Sequence, residues 1–346
     1  MVEEAGIELE LLEGVFYNPR MRINRDITEA FVVKHGIKSY ADIMAASGIR
    51  GFRIARHGVE TRLNDKSIRA YATILWNSQR LGLNVNATRM DAKEFLLEYK
   101  GIEFIDLDPF GTPAPYLPAV VEYKPKYLGV TATDTANLCG KYPHASRRLY
   151  FVENFKTPFC HEVGIRILLY AIAREAARND MIIEPLVSYS YRHHMRVIVR
   201  LIRASSTAID RMLTNEIGRL RFDPDTYRIN ISEGIAGSGI GPIRIGDIGN
   251  PFSIEPLIGY KRNSEETNKI LRMLLIDSRA PIGYYDLHEI ARIRKESPVS
   301  KRKLLEKARE MGIFLSETHF SPRAVKGVSV DAVIEVIEAL RRQGGP

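Results

Sequence analysis

A short stretch around residue 108 has residue types suited to chemistry on a flat, polar ring. The apolar run 101–107 leads directly into Asp108, Pro109, Phe110 and Gly111. Proline stiffens a turn and glycine frees the backbone, so Phe110 can be held with one ring face available for stacking. A carboxylate beside an aromatic ring is what methylation of an exocyclic nucleobase amine requires. The alternative is an ordinary turn that ends a strand.

Predicted strands alternate with helices through the first two-thirds of the chain. Such alternation predicts an α/β fold with a doubly wound, parallel sheet. The predicted strands cover residues 39–46, 59–64, 84–90, 101–107 and 126–133. Two longer strands, 182–191 and 195–202, follow with a tight turn between them, which predicts an antiparallel pair at the edge of the sheet. The clearest helices cover 162–178 and 67–80, the latter with five residues at helical spacing: Ile68, Tyr71, Ala72, Leu75 and Gln79.

Each of the first five strands ends at or near an aspartate. A single aspartate at such a place is more often a helix cap. Five in one alternating series place carboxylates along one rim of the sheet, which is where open α/β sheets bind ligands. These aspartates are Asp42, Asp65, Asp91, Asp108 and Asp134.

The turn after the first strand indicates the kind of ligand. Residues 46–51 contain two glycines but neither the pattern of a dinucleotide site nor that of a phosphate loop. A nucleoside without a pyrophosphate fits such a turn. Asp65 is then placed for the two ribose hydroxyls and Asp91 for the adenine amine. With the terminal hairpin, this pattern predicts a methyltransferase that uses S-adenosyl-L-methionine.

Seven motifs occur in order along nearly the whole chain and resemble those of one family. They lie at residues 15–26, 46–53, 104–113, 129–134, 138–140, 161–166 and 318–322, and include FIDLDPFGTP at 104–113. The chain resembles the archaeal and eukaryotic tRNA (guanine-N2)-dimethyltransferases, which modify guanine 26 of tRNA. The resemblance implies a class I, Rossmann-like methyltransferase sheet, S-adenosyl-L-methionine as cofactor, and tRNA as substrate.

The resemblance also implies roles for individual residues. Asp108, with Pro109 and Phe110, matches the catalytic segment, and Phe16 joins Phe110 as a guanine-stacking ring. The implied cofactor contacts are Arg25, Arg50, Asp65, Asp91 and Ala92. From the residues alone, Arg50 could instead be a solvated helix residue and Phe16 a core aromatic.

The sequence departs from the family at two places. Residues 44–47 read Met-Ala-Ala-Ser where relatives often carry serine and threonine. The cysteine cluster that some relatives use for zinc is absent, since the chain has two cysteines, Cys139 and Cys160. No metal is therefore expected, and the pair His193 and His194 has no further ligand nearby in sequence.

The last third is predicted to form a smaller module. We divide the chain into a methyltransferase domain, 1–262, and a tRNA-binding domain, 263–346, which begins with a helix over 265–276. Helices at 284–294, 300–311 (capped by Ser300) and 330–342, with a strand at 313–316, outline a winged-helix-like fold. Basic residues here are expected to contact tRNA phosphates: Arg292, Arg294, Lys295, Lys301, Arg302, Lys303, Arg323 and Lys326. The track is expected to continue over Lys141, Arg147, Arg148, Arg192, His193 and His194.

Composition agrees with these expectations. The chain has 346 residues, 45% of them hydrophobic, which is enough for two domains. The net charge of +8 and a pI of about 9.3 favour a polyanionic partner. Two cysteines, no run of roughly 20 apolar residues and an acidic amino terminus predict a cytoplasmic protein without a membrane span. Two glutamines and a charged fraction of 27% favour a thermophilic source.

Three readings remain open at this stage. The first is the tRNA guanine-26 methyltransferase, expected to act as a monomer. The second keeps the cofactor but acts on guanine at another tRNA position, in rRNA or in DNA. The third is a winged-helix nucleic-acid-binding protein without enzymatic activity.

Overall fold

A seven-stranded sheet lies at the centre of the computed structural model, which describes residues 1–344. The last two residues of the predicted C-terminal domain, 345 and 346, lie outside the described part. The strands are β1 (Val2–Glu4), β2 (Ile7–Leu9), β3 (Ser39–Asp42), β4 (Glu60–Asn64), β5 (Val85–Thr88), β6 (Phe104–Leu107), β7 (Tyr127–Ala132), β8 (Met181–Tyr191), β9 (His194–Arg203), β10 (Ile217–Phe222), β11 (Ile229–Glu233), β12 (Ile240–Arg244), β13 (Tyr285–Asp286), β14 (Leu315–Glu317) and β15 (Ala324–Gly327).

The α-helices are α1 (Arg22–Lys34), α2 (Ile49–Ala55), α3 (Ile68–Leu81), α4 (Ala92–Glu98), α5 (Leu117–Glu122), α6 (Thr135–Leu138), α7 (Pro143–Tyr150), α8 (Cys160–Ala177), α9 (Ser206–Arg211), α10 (Pro251–Ile254), α11 (Glu265–Asp277), α12 (Leu287–Arg294), α13 (Lys301–Glu310) and α14 (Val330–Gly344). Short 3-10 turns lie at Pro19–Met21 and Glu255–Leu257, and a π-helical turn at Met212–Glu216.

The central sheet has the order β5-β4-β3-β6-β7-β9-β8. The first five strands in this order are parallel. Strand β9 runs antiparallel to β7 and to the edge strand β8, with which it forms a hairpin. The predicted parallel sheet with a terminal antiparallel hairpin is confirmed. The chain winds outward from β3 in one direction and from β6 in the other, so the switch point lies between β3 and β6. In open α/β sheets the ligand crevice forms there.

Helices cover both faces of this sheet. Helices α1 and α11 share one buried apolar cluster with the strands, including Phe31, Tyr40, Phe104 and Leu271. The opposite face packs against α4, α5 and α8 in a second cluster, which continues into the C-terminal elements. Layers of helix on either side of a mostly parallel sheet bury both of its faces, as the apolar strands require.

The N-terminal segment forms an arm that the sequence did not predict. Strands β1 and β2 pair antiparallel, and the chain then crosses α3 before it reaches the cavity side of the sheet. Asn77 fastens it, since its Oδ1 accepts from the Glu10 amide (2.9 Å) and its Nδ2 donates to the Glu10 carbonyl (2.7 Å). The Leu12 amide also donates to the Thr73 hydroxyl. The arm therefore carries residues 16–18 to the site described below.

The predicted helix over 67–80 is confirmed as α3. It buries Ala70, Thr73, Ile74 and Asn77, while Ile68 is 54% exposed, because the polar side chains receive the N-terminal arm. One local prediction was wrong. Ser300 lies at the N-cap position of α13, but its side chain makes no capping hydrogen bond.

The C-terminal elements form a small antiparallel sheet, in the order β13-β15-β14, with helices α12, α13 and α14. Helix α11, which precedes it, packs on α1, and the Thr267 hydroxyl donates to Asp26 at 2.8 Å. Among the described residues, none of the helices has both the length and the apolar content that a bilayer crossing needs.

Candidate functional site

A cavity of about 430 Å³ opens at the switch point of the sheet. Its volume lies within the range of small-molecule sites. All nine residues proposed from the sequence line it: Phe16, Arg25, Arg50, Asp65, Asp91, Ala92, Asp108, Pro109 and Phe110. Asp42 also lines the cavity, whereas Asp134 instead accepts a hydrogen bond from the Tyr150 hydroxyl at 3.0 Å. Four of the five strand-end aspartates thus meet at one site.

The turn after β6 is fixed by the neighbouring strand. Gly111 has φ of 80°, a left-handed conformation that glycine adopts without strain. Its amide donates to the Thr133 hydroxyl at 2.7 Å, and the Thr133 amide donates to the Gly111 carbonyl at 2.9 Å. Pro109 is buried and Phe110 is 77% exposed. The backbone geometry therefore directs the Phe110 ring outward, as the sequence predicts.

Arg50 lies at the centre of a buried ion network beneath this turn. Its guanidinium contacts Asp108 and lies 2.9 Å from Asp106 and 3.5 Å from Asp42. Arg196, fully buried, binds Asp106 from the other side through two contacts of 2.6 and 2.7 Å. Only 6% of Arg50 is exposed, so it is not a solvated helix residue.

The network contains two guanidinium groups and three carboxylates, which sets the charge of each acid. Burial raises the pKa of Asp42 to about 7, because Asp106 and Asp108 oppose a further negative charge while Arg50 offsets this only in part. For Asp108 burial acts in the same direction, but Arg50 and Arg196 outweigh it and hold its pKa below the ordinary range. Asp108 is therefore ionised at neutral pH, whereas Asp42 gains or loses its proton near neutral pH.

Asp65 and Asp91 each hold backbone amides at the cavity wall. Asp65 accepts from the amides of Ala46 (2.9 Å) and Ser67 (2.8 Å), one at each oxygen. Asp91 caps α4, accepts from the Lys93 amide at 2.9 Å, and forms a capping box with Glu94. A carboxylate offers about four acceptor positions, so both can accept further hydrogen bonds. Helix capping and ligand binding are thus compatible roles here.

Arg25 reaches the cavity from α1 through a second buried network. Its Nε donates to Glu4 at 2.7 Å, and its Nη2 donates to the Asn18 carbonyl at 3.0 Å. Glu4 also binds Arg53, which contacts Asp26 and Glu29 as well. The network ties the N-terminal arm to α1 and α2, and so fixes where the arm enters the site.

Phe16 and Phe110 meet at the mouth of the cavity. Their ring centroids are 4.8 Å apart, with planes at 86° in an edge-to-face arrangement. Phe16 is 49% exposed, which rules out the alternative of a core aromatic. A flat base held between two parallel rings needs them about 7 Å apart, from two stacking distances. The rings must therefore separate to take a base between them.

Two predicted phosphate contacts are wrong. Lys326 is fully buried, and its Nζ lies 2.9 Å from Glu162. His194 is also buried, and burial lowers its pKa to about 4, against the attraction of Asp108. His193, by contrast, is exposed and lines the cavity. The other exposed side chains of the predicted set are Lys141, Arg147, Arg148, Arg192, Arg292, Lys295, Arg302, Lys303 and Arg323.

The sequence analysis missed the partners of Asp106 and Asp108. Asp106 lies in β6 and Asp108 directly follows it, so two residues of extended chain place both carboxylates on one face, and two buried carboxylates on one face require cations. That spacing was a usable signal for Arg50 as an ion-pair partner. Nothing local pointed to Arg196, which lies 90 residues beyond Asp106 on the antiparallel strand β9.

Comparison with known proteins gives consistent results over the whole chain. A family model described as N2,N2-dimethylguanosine tRNA methyltransferase matches residues 1–339. A tRNA (guanine(26)-N(2))-dimethyltransferase of Methanospirillum hungatei is 35% identical over 340 residues, covering 93% of this chain and 90% of that protein. The enzyme of the same name from Archaeoglobus fulgidus is 31% identical and covers 98% of both chains.

A solved structure is similar as well. Trm1 from Pyrococcus horikoshii, determined in complex with S-adenosyl-L-methionine, superposes with a TM-score of 0.89 at 30% identity. The alignment covers 97% of this chain and 98% of that one.

Proposed function

Because the chain belongs to the N2,N2-dimethylguanosine tRNA methyltransferase family, we propose that its cavity methylates the exocyclic N2 of guanine 26 in tRNA, first once and then twice. The chain is a methyltransferase that uses S-adenosyl-L-methionine and acts on guanine N2 in tRNA. The convergence of all nine proposed site residues on one cavity supports this assignment of the site. A protein that only binds nucleic acid has no need to bring these nine residues together in one cavity.

The residues present fit the cofactor. Asp65 accepts from the Ala46 amide and keeps free acceptor positions for the ribose hydroxyls. Asp91 likewise keeps free acceptor positions for the adenine amine. Arg25 and Arg50 supply guanidinium groups for the methionine carboxylate, which suits their planar fork. When bound, the cofactor supplies an electrophilic methyl group on a sulfonium.

Asp108 is proposed to accept a hydrogen bond from the guanine amine. This amine is a poor nucleophile, because its lone pair is delocalised into the ring. The low pKa of Asp108, set by Arg50 and Arg196 against burial, makes the carboxylate a persistent acceptor but a weak base. The proton therefore moves to Asp108 only as positive charge develops on N2. Its side chain is 17% exposed, which leaves a route for the proton to water.

Phe16, Phe110 and Pro109 are proposed to orient the base. The two rings separate and flank the guanine, and the Pro109 carbonyl accepts the second N–H of the amine. Fixing the nitrogen in line with the methyl group removes an orientational cost from the transition state. Guanine is reached by rotation out of its stack, as in other base-modifying enzymes.

The proposal extends to the C-terminal elements, the oligomeric state and the location of the protein. We propose that residues 263–346 bind tRNA through a winged-helix-like module, although α11 packs with the methyltransferase sheet. We propose that the protein acts as a monomer, because one chain brings all nine proposed site residues to the cavity. A cytoplasmic location follows from the tRNA substrate.

The test is nucleoside analysis after incubation with methyl-labelled cofactor. One tRNA carries guanine at position 26 and a matched tRNA carries adenine there; an rRNA fragment and a DNA duplex are included. We expect monomethylguanosine and then dimethylguanosine in the first tRNA alone. Label in the adenine-26 tRNA would overturn the position, and label in rRNA or DNA would overturn the substrate class.

A further inference from the structure

Three potential metal ligands lie together outside the catalytic cavity. Cys139, Cys160 and His161 each place one ligand atom within 4.8 Å of the others. The Cys139 sulfur is 3.8 Å from His161 Nδ1. All three side chains are partly buried, so they are shielded but reachable. Neither the cavity nor the proposed reaction uses them.

The backbone on both sides of the cluster is firmly held. Cys139 ends helix α6, where the Asn154 amide group donates to the Leu138 carbonyl at 2.9 Å. Gly140 follows in a left-handed conformation, and a side chain there would come within 2.3 Å of the Phe155 backbone. Cys160 and His161 are the first two residues of α8, a helix of 18 residues in the core. The cluster is therefore built by the fold and does not depend on a loose loop.

We propose that Cys139, Cys160 and His161 form a binding site for a soft divalent cation, with zinc as the best fit. Two ligands of one tetrahedral zinc, a sulfur and a nitrogen, are separated by about 3.5 Å, from bond lengths of roughly 2.3 and 2.0 Å. The observed separation of 3.8 Å is close to this value. Thiolate and imidazole are the ligands that select zinc over hard cations. Three protein ligands leave one position for water or for the Ser190 hydroxyl, which is 3.2 Å from His161 Nδ1.

A disulfide between the two cysteines is the competing use of these thiols. The third donor favours the cation, because a disulfide has no need of an imidazole at ligand distance. A count of two cysteines predicted no metal, since sequence spacing does not show that His161 joins them.

The position of the site indicates a structural role at the junction with the C-terminal elements. The Ser190 amide donates to His319 Nε2 at 3.3 Å, and His319 binds Asp277. On the other side, α6 follows directly from Thr133, which holds Gly111 of the catalytic turn. An ion would join the end of α6 and the start of α8 between these two regions.

The test is the metal content of the full-length protein, expressed with zinc and purified in metal-free buffer under reducing conditions. We expect about one zinc per chain. Cobalt in its place should show thiolate-to-metal charge transfer in the near ultraviolet. Cys139→Ser, Cys160→Ser and His161→Asn should each lower zinc affinity by at least about tenfold. His144→Ala, which removes an exposed histidine from α7, should retain the ion.

Thermal unfolding and circular dichroism of each variant show whether loss of the ion reflects loss of the fold. A folded Cys139→Ser protein that binds as much zinc as the parent would overturn the site. So would a parent protein that binds no added zinc while both thiols react with a thiol reagent. Absence of zinc together with absence of free thiols would show a disulfide instead.

Discussion

The guanidinium of Arg50 contacts the carboxylate of Asp108, so a residue proposed to bind the cofactor and the proposed catalytic carboxylate form one ion pair. This contact keeps Asp108 anionic despite its partly buried position. It also means that the two functions cannot be changed independently. A substitution at Asp108 alters the charge that Arg50 presents to the cofactor.

Replacing Asp108 with asparagine should therefore affect chemistry and cofactor binding together, but in opposite directions. We expect the single-turnover methylation rate to fall by about 10²- to 10⁴-fold, the usual contribution of a positioned acid or base. Affinity for S-adenosyl-L-methionine should stay the same or rise, because Arg50 loses one competing carboxylate. Rapid-quench kinetics and calorimetry measure the two quantities.

Asp134→Asn is the matched control for Asp108→Asn. Asp134 also follows a strand, but it binds Tyr150 and does not line the cavity. Its asparagine variant should keep the methylation rate within about threefold. Equal rate losses in the two variants would remove Asp108 from the chemistry.

Asp42→Asn should stabilise the protein at alkaline pH but not at acidic pH. Burial beside Asp106 and Asp108 raises the pKa of Asp42 to about 7 in the folded state, above its ordinary value of 3.8. A carboxyl group whose pKa is higher in the folded state stabilises the fold at pH values below its pKa in the unfolded state. This contribution is lost as the pH rises through the pKa of the folded state. Asparagine removes this loss, so the gain above pH 7 should be on the order of a few kcal/mol.

Chemical denaturation of parent and Asp42→Asn proteins from pH 5 to pH 8 measures this effect. The stability difference should grow as pH rises toward 7 and level off above it. Asp91→Asn, at an exposed helix cap, is the control and should show no such trend. A constant difference across the range would mean that Asp42 does not titrate in it.

Phe16 and Phe110 should contribute to binding of the tRNA substrate with little effect on the fold, because Phe110 is largely exposed and Phe16 is about half exposed. Each alanine variant should raise KM for tRNA by about five- to 150-fold, equivalent to roughly 1–3 kcal/mol of base stacking. Phe110→Tyr retains the ring and should behave as the parent. Steady-state kinetics with unchanged thermal unfolding would support the proposal, and a loss of stability equal to the loss of activity would contradict it.

The fold was largely predictable from the sequence, because each parallel strand is recognisable as an apolar run that ends at or near an aspartate. The residues that face the cavity followed from the same strand ends and from the family motifs. Side-chain partners over long separations were not predictable: Arg196 with Asp106, and Lys326 with Glu162, are joined by the fold alone. The buried face of α3 was missed for the same reason, since its partner is the N-terminal arm.

Exposed basic residues of α13 should set part of the salt dependence of tRNA binding. Arg302 and Lys303 are exposed and, among the described residues, have no ion-pair partner within 4.0 Å. Their alanine variants should weaken binding and reduce the slope of log affinity against log salt by about one unit each. Filter binding from low to moderate salt measures the slope. Lys93→Ala removes an exposed charge from α4 and is the control; equal changes in its slope would show a general charge effect.

Lys326 should be required for stability and not for contact with tRNA, because its Nζ is buried against Glu162 at 2.9 Å and also donates to the Pro281 carbonyl. Lys326→Met should lower the free energy of unfolding by about 3–5 kcal/mol, since it leaves a buried carboxylate with Arg166 alone.

Although burial opposes it, Lys326 and Arg166 lower the pKa of Glu162 to about 2, so this stability is present above pH 4.5 and is lost as pH falls toward 2. Acid denaturation monitored by circular dichroism should therefore show a smaller drop over this range in the variant than in the parent. Lys301→Met, which breaks a partly exposed pair with Glu317, should cost less than about 1 kcal/mol. Equal effects of the two substitutions would show that the buried pair adds nothing beyond a surface contact.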